Sequence, residues 1–475
     1  MKLSDLSDQE WFNRLQRRRV YQQITARGWL DRYDGNAPMY WLTKLLSEQD
    51  DRFGALTINW EQKFLDTIDG LCVTEGFLVN GTEDLDAEMW AAWTRNDMPE
   101  FESENNINTL ATGYGFVVVG DDGDGGALIT VESPEQMAIE IDPLTRKTVA
   151  SLLFYKSDPE LPVDDMAVLQ VAGEKGARQV VFENGKAAGE KVQKWASAAT
   201  ALQSSPDIPV VRYLNRQRQR VPRSELTALA PLVDGANLIA THMLATSHHH
   251  AMPRMLAINV SEAQFFNEDG TVNREAVKAA TGQMWVIPAE EDEDGNVLPP
   301  NEAPDVDVKQ LPAADLRNFH ESISLLGRIG AGLCDMSPSD FGFGVADNPE
   351  SAQSQAMKYV SMATRVRRVH ASRGSAHARV MRLAAAVEGR DVQSLKSIES
   401  KWLDPSKLTS PERMKAARDG YESGLSDLHQ ARLDAGYSPT TIQAMELRER
   451  SLARDPFVVA DDGFEADSDA AVDNA

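Results

Sequence analysis

Residues 224–250 read SELTALAPLVDGANLIATHMLATSHHH. The opening serine can cap a helix, and apolar side chains recur at helical spacing through Leu226, Leu229, Leu232, Val233, Ile239, Met243 and Leu244. Pro231 is expected to kink this helix. From Pro231 to His250 the segment spans about 30 Å of helix at ~1.5 Å per residue, and Pro253 follows it. A compact insert comes next: a strand at Met255–Val260, a short helix near Asn273–Ala280, a strand at Met284–Ile287, an acidic loop EEDEDGN (290–296) and a third strand near Val306–Leu311. A return helix is expected from Pro312, with Asp315 in its first turn and Leu316, Phe319, Ile323, Leu326, Ile329 and Leu333 as its apolar stripe. It breaks at Cys334–Pro349, where Phe341 and Phe343 alternate with Gly342 and Gly344.

On the C-terminal side, Ser351–Val387 has no Asp or Glu, in a chain of formal net charge −25. As a helix it gathers Lys358, Arg365, Arg368, Arg379 and Arg382 within roughly 120° of arc, with Tyr359, Met362, Val366, Val369, Val380 and Met381 mainly beside them. Gly374 is a point of loosening. Beyond Gly389 short helices are expected at Val392–Trp402, Pro411–Glu422, Ser426–Ala435 and Thr440–Leu452, followed by an acidic tail with the composition of disorder.

On the N-terminal side, the first ~50 residues read as helical, with Trp11, Leu15, Tyr21, Ile24, Trp29 and Leu30 recurring among polar residues until Gly35 and Pro38. A second amphipathic stretch carries Trp60, Phe64, Leu65 and Ile68. A strand follows at Cys72–Val79, then a helix at Leu85–Asn96 with Met89, Trp90 and Trp93. From Gly115 to Asp207 the period changes to that of an antiparallel sheet: FVVVG, ALITV, MAIEI, VASLLFY, MAVLQV and RQVVFE, separated by turn residues. The fold class read from this order is α+β.

Bulk composition narrows the function. The 475 residues, 42% of them hydrophobic, suffice for several cores. The acid excess opposes tight nonspecific DNA binding, because the field of the protein repels phosphates. Two cysteines, Cys72 and Cys334, suit a reducing compartment and supply neither a disulfide scaffold nor a cysteine zinc site. MKLSDLSDQEW lacks the apolar core of a signal peptide, and no run is long enough to span a bilayer. No G-x-x-x-x-G-K-[ST] loop, G-x-S-x-G elbow or H-E-x-x-H motif occurs. His242 and His248–His250 are read as a helix end rather than a metal site, since consecutive helical residues point in different directions. DDGDGG (121–126) and EEDEDGN are read as turns, because neither fits the spacing of a calcium loop.

The order of helix, small insert, return helix, flexible segment and long helix resembles the portal, or head-to-tail connector, proteins of tailed double-stranded DNA bacteriophages, in the siphophage branch. TVESPEQMAIEIDPLTRKTVASLLFY (130–155), IPVVRYLNR (208–216) followed by SELTALAPLVDGANLIATHML, and AMPRMLAINV (251–260) resemble that branch from about Trp11 to Glu388. The resemblance implies a portal-type fold. Residues 1–223 would be an α/β wing, 224–250 and 312–335 two long stem helices, 251–311 a small α/β clip, and 336–350 the tunnel loop. Residues 351–388 would be a long kinked basic wing helix, 389–456 a helical crown and 457–475 a disordered tail.

It further implies a ring of about twelve copies at one capsid vertex of the virion, assembled in the host cytoplasm, with no membrane, cofactor, metal or catalysis. Double-stranded DNA would pass through the ring during packaging and ejection. The implied partners are the terminase large subunit, major capsid and scaffold proteins and a head–tail adaptor. On this reading Ser337, Ser339, Asp340, Phe341, Phe343 and Asp347 face DNA from the tunnel loop, and Asp234, Asn237, Asp315, Glu321 and Asp335 line the stem. Glu290, Glu291, Asp292, Glu293 and Asp294 meet terminase or adaptor at the clip. The tunnel segment departs from the family in being acidic and aromatic, which speaks against gripping of DNA by basic loop residues. Lys358, Arg365, Arg368, Arg379 and Arg382 either face DNA or, the preferred reading, pair with acidic surfaces of a neighbouring subunit. The rival classes are a metal-assisted hydrolase built on the histidines and a monomeric interaction scaffold.

Overall fold

In the computed structural model the described residues are 6–37, 57–82, 84–158, 160–172, 178–187, 208–216, 221–250, 255–260, 284–288, 307–310, 315–343, 352–403, 410–437 and 439–453. The chain mixes helix and sheet and divides into two compact units. One holds residues 1–30, 64–226 and 350–475, the other 31–63 and 227–349.

The first unit is organised by sheets. Helix α1 (Asp8–Tyr33) buries Trp11, Phe12 and Leu15 on an antiparallel meander of β4 (Met137–Ile141), β5 (Thr148–Tyr155), β6 (Met166–Val171), β7 (Arg178–Glu183) and β8 (Lys186–Ala187). Phe12 stacks on Phe182 at 4.4 Å between ring centres, and each such buried side chain contributes about 1.5–3 kcal/mol. Helix α1 ends at the break expected at Gly35. Gly35, at φ 73°, and the bond from Asn36 N–H to the Asp31 carbonyl mark the stop, and residues 38–56 lie outside the described residues. Tyr21 and Ile24, counted in the apolar stripe, are exposed.

A three-stranded sheet, β2 (Tyr114–Asp121) flanked by β3 (Ala127–Glu132) and β9 (Val210–Leu214), shares its core with α3 (Ala87–Arg95) and α7 (Ala352–Val387). The α3 cap is local: the Asp86 carboxylate accepts from the Met89 N–H at 2.9 Å. Helix α7 runs through Gly374 without interruption, which corrects the expected kink or loosening; a side chain there would meet the Trp402 indole at 3.7 Å.

Two further corrections concern the ends of this unit. Val392–Trp402, expected as helix, contains β13 (Ile398–Trp402), which pairs antiparallel with β1 (Thr74–Val79). That pairing binds the far end of the chain to its first strand. Helix α4 (Met98–Thr112) was not anticipated, since its buried face is polar: Glu102, Asn105, Asn106, Asn108, Thr109 and Thr112. The chain then closes with helices α8 (Ser410–Glu422), α9 (Leu428–Ala435) and α10 (Pro439–Ala453).

Between α2 (Trp60–Asp69), α4, α7 and the β1–β13 pair lies a buried polar cluster. The Arg373 guanidinium donates to the Asn106 carbonyl at 3.3 Å, and the Thr74 hydroxyl donates to Glu102 at 2.6 Å. Nε2 of His377 sits 3.7 Å from the Glu102 carboxyl, while His370 and His377 both stack on Trp402, at 4.5 and 5.1 Å. Burial pushes Glu102 up to about 7, against the pull of the Thr74 hydroxyl. Burial also pushes His377 down to about 3, helped by Arg373.

The second unit holds α5 (Ala230–His250), α6 (Arg317–Leu333) and a small sheet in which β10 (Met255–Val260) pairs parallel with β11 (Met284–Pro288) and antiparallel with β12 (Asp307–Gln310). The helix expected at 273–280 lies outside the described residues. The expected helix from Ser224 is instead a 3₁₀ turn, Glu225–Ala228, before α5 begins. Pro231 therefore stands in the first turn of α5, where its missing N–H costs nothing and no kink results. Likewise α6 starts at Arg317 rather than near Pro312. Its first turn is held by the Asp315 carboxylate, which accepts from the Arg317 N–H at 2.9 Å.

The two buried groups impose opposite slopes on stability. A carboxyl raised on folding stabilises below its unfolded value near 4.5, and that contribution is lost as pH rises through about 7. A histidine lowered on folding stabilises above 6.5, and that contribution is lost as pH falls towards about 3. Glu102→Gln removes the first slope and keeps the second. Its urea midpoint should therefore climb more steeply than the wild type's from about pH 5 to about pH 8; parallel profiles would show that Glu102 titrates alike in the folded and unfolded chain.

Candidate functional site

Helices α5 and α6 of the second unit lie close because α6 presents small residues. Gly327, Gly330 and Ala331 are its buried positions. A side-chain carbon added at Gly330 would stand 3.1 Å from Leu229 and 3.3 Å from Phe341, and one at Gly235 would stand 3.5 Å from Leu326. Contacts of 229 with 330 and of 235 with 326 run in opposite senses, so the pair is antiparallel. With the small face turned inward, large apolar residues of α6 remain in water: Leu325 is 59% exposed, Ile329 45% and Leu333 49%. Their spacing of four places them along one side of the helix.

The end of α6 is fixed by backbone geometry. Asp335 adopts φ 58°, and the Met336 N–H reaches back to the Ala331 carbonyl at 2.9 Å. A 3₁₀ turn follows at Pro338–Phe341. The Asp340 carboxylate accepts from the Ser337 N–H at 2.8 Å, and the Ser339 hydroxyl donates to that of Ser337 at 2.8 Å. Two aromatic side chains pin this turn. Phe341 is buried and stacks on Trp60 with centres 5.4 Å apart and planes 1° apart, and Phe343 meets Trp60 edge-on at 5.5 Å. The flat face expected to meet a duplex at Phe341 is therefore turned into the chain's own packing. Ser339 and Asp340 are exposed.

The stem candidates separate in the same way. Asp234 is held by Arg32 at 2.9 Å, and the same guanidinium donates to Glu61 at 2.8 Å and to the Ala230 carbonyl at 2.8 Å. Burial pushes Glu61 up to about 7, while Arg32 pulls the other way. Asn237, expected to line a channel, is buried; its side-chain oxygen accepts from the Ile58 N–H at 2.6 Å. Asp315 and Glu321 are exposed and Asp335 partly so. Asp347 and the acidic loop Glu290–Asp294 lie outside the described residues. Arg32, Trp60, Glu61, Gly327 and Gly330 were missed by sequence reading. Only the spacing of Gly327 and Gly330 on an amphipathic helix carried a signal.

The basic helix α7 takes up part of its charge within its own unit. Arg365 pairs with Glu225, which also holds Arg216 at 2.9 Å and accepts from Asn215 at 3.0 Å. Arg382 donates to the Leu395 carbonyl and Arg379 to that of Ser375. An arginine outside the anticipated arc, Arg373, is the fully buried one. Arg368 is exposed, and the side chain of Lys358 lies outside the described residues. The two readings offered for this helix thus both overlooked a partner for Arg365 on the same chain. The loop at 121–126 is a turn, with the Asp122 carboxylate accepting from the Asp124 and Gly126 N–H groups. Among the described residues no group of three or more metal-ligating side chains comes together, and no helix is long and apolar enough to cross a membrane.

One unit is a helix pair joined through a small inserted sheet, and the other is sheet-rich and threaded by one long helix. Residues 25–406 match the family model of the phage portal protein, SPP1 Gp6-like, and the chain belongs to that family. The portal protein of Mycobacterium phage D29 is 27% identical over 403 residues, covering 80% of this chain and 76% of that one. The portal protein of Mycobacterium phage L5 is 25% identical over 402 residues, with the same coverage. Among solved structures, a chain from the virion of a native gene transfer agent particle aligns with a TM-score of 0.44 at 12% identity, covering 82% of this chain and 91% of that one.

Gly327 is the sharpest point in the packing between α6 and the turn that follows it, because an added carbon would lie 1.9 Å from the Phe343 ring. Gly327→Ala should expel that ring and cost about 1–3 kcal/mol in chemical denaturation. Gly332→Ala, whose carbon meets nothing, should be neutral or stabilising by up to about 1 kcal/mol. Equal midpoints for the two variants would sink the assignment of Phe343 to this packing.

Proposed function

We propose that this chain assembles into a ring whose central channel passes double-stranded DNA at one vertex of a phage head. Membership of the portal family over residues 25–406 carries the reading. Residues 1–223 and 351–388 form the wing, 224–250 and 312–335 the stem, 251–311 the clip, 336–350 the tunnel loop, 389–456 the crown and 457–475 a tail. The β1–β13 pairing argues for counting 398–402 with the wing. The clip, with Glu290–Asp294, receives the terminase large subunit during packaging and the head–tail adaptor afterwards, and the crown faces the capsid interior. Capsid and scaffold proteins meet the ring from outside as it nucleates the head in the host cytoplasm.

Its part is structural, and the motor that hydrolyses nucleotide is a separate protein. At the channel, Ser337, Ser339, Asp340 and Asp347 face the duplex, with Phe341 and Phe343 holding the loop to Trp60. Asp234, Asp315, Glu321 and Asp335 line the stem, and Asn237 supports it from behind. A duplex carries one charge per ~1.7 Å, and every neutralised phosphate adds affinity. A wall made of chains at −25 each favours sliding over gripping. The exposed stripe Leu325, Ile329 and Leu333 supports the ring, since a neighbouring stem helix would cover it.

Light scattering and negative-stain images of the purified 52.4 kDa chain test the reading. A ring of about twelve copies should run near ~0.6 MDa with a central opening. A particle of one or two chains at all concentrations would overturn the proposal. Ile329→Asp, placed on the exposed stripe, should shift the mass towards single chains while the far-ultraviolet circular dichroism stays that of the folded chain.

A further inference from the structure

Helix α1 keeps one side for its own core and leaves the other unclaimed. Trp11, Phe12, Leu15 and Ala26 are buried. At about 100° per residue, the opposite side collects Arg17, Val20, Tyr21, Ile24, Arg27 and Gly28 within an arc of about 120°. Val20 is 53% exposed, Tyr21 79% and Ile24 71%. A Cβ built at Gly28 meets nothing within 4 Å. The other arginines of the helix are spent within the chain: Arg14 and Arg18 on Glu140, Arg19 on Asp164, and Arg32 on Glu61 and Asp234. Arg17 and Arg27 pair with no described residue.

We infer that this face of α1 docks onto an acidic surface of a second copy of the chain. Charge complementarity chooses the occupant. Helix α1 has six arginines against Asp8, Glu10 and Asp31, inside a chain of net charge −25, so the rest of the chain taken together is more acidic still, the basic helix α7 excepted. Aromatic, aliphatic and arginine side chains grouped at the centre of a patch are what desolvated interface cores use. Two such faces would bring arginine against arginine, so the contact is not self-complementary. It is heterologous, and a heterologous contact propagates into a closed ring or an open filament rather than a two-fold dimer. This inference rests on the ring reading above and adds the contact by which neighbouring wings engage.

Photocrosslinking tests it directly. Cys72 and Cys334 are buried, so Ile24→Cys supplies a readily labelled thiol for a benzophenone maleimide. Irradiated rings should yield covalent chain dimers and higher multiples, with the probe attached to an Asp- and Glu-rich peptide outside α1. Rings of full mass that give no interchain product, or products linking α1 to α1, would overturn the inference and leave the ring reading standing. Attachment to added duplex DNA instead of protein would also overturn it. A wild-type chain that stays monomeric defeats both readings. Independently, the exposed double variant Tyr21→Asp/Ile24→Asp should lose the ring-mass species while its circular dichroism is unchanged. Persistent rings from that variant would refute the docking face, and if it fails to fold the crosslink decides.

Discussion

Close approach of α5 and α6 is the constraint on which the second unit depends. Gly327, Gly330 and Ala331 give up side-chain volume so that two helix backbones can near each other, with Leu229, Leu232 and Leu326 filling what remains. A glycine inside a helix costs up to about 1 kcal/mol relative to alanine, so such a face needs a packing return. The consequence reaches further than the pair. A helix that turns its small side inward must turn its large apolar side outward, and Leu325, Ile329 and Leu333 are left where a monomer has no use for them. The same glycine face admits Phe343 over Gly327 and brings Phe341 near Gly330, so the turn that ends α6 and the helix pairing are set by one piece of packing.

The first unit solves a different problem, which is how to keep a cationic helix at the centre of an acidic chain. Helix α7 places Met362, Val366, Ala376, Val380 and Met381 in the core and pairs Arg365 with Glu225, whose side chain is almost fully enclosed. Removing one partner of a buried pair costs about 3–5 kcal/mol, because the survivor stays charged without compensation. Arg373 has fewer direct bonds, and burial draws its guanidinium below the usual arginine range against the opposing pull of nearby groups that include Glu102 and Asp69. Part of the charge that looked available for a partner, Arg365 and Arg373 above all, is therefore absorbed by the fold.

Legibility in the sequence followed the length scale of each interaction. The meander was readable because alternation and turn residues are local signals, and its strands β4–β7 fall close to where the pattern set them. Helix α4 was not readable, since MPEFESENNINTLAT carries no apolar stripe and its burial is paid in side-chain hydrogen bonds, such as Thr74 to Glu102 and Asn106 to Asp69. Strand β13 was mistaken for helix because its partner β1 lies near the other end of the chain, and no window sees both. The same distance hid Trp60 from Phe341 and Arg32 from Asp234. At Tyr21 and Ile24 the helical period was correct and the face was not, since periodicity alone does not say which apolar residues a chain keeps for itself.

On the proposed channel reading, negative charge, apolar stripes and the placement of arginines answer one demand. A wall that lets a polyanion slide must be acidic, yet acidic subunits repel one another, and that repulsion grows with every copy added to a ring. Screening at physiological salt, with a Debye length of about 8 Å, weakens the long-range part but leaves side chains in contact to settle the balance. Favourable contact then has to be concentrated where bases and apolar groups coincide. Two such places are the apolar stripe on α6 in one unit and the arginine-flanked stripe around Tyr21 and Ile24 on α1 in the other. If the second engages acid on a neighbouring copy, as inferred above, it joins unlike surfaces, and unlike surfaces joined by rotation are what close a ring.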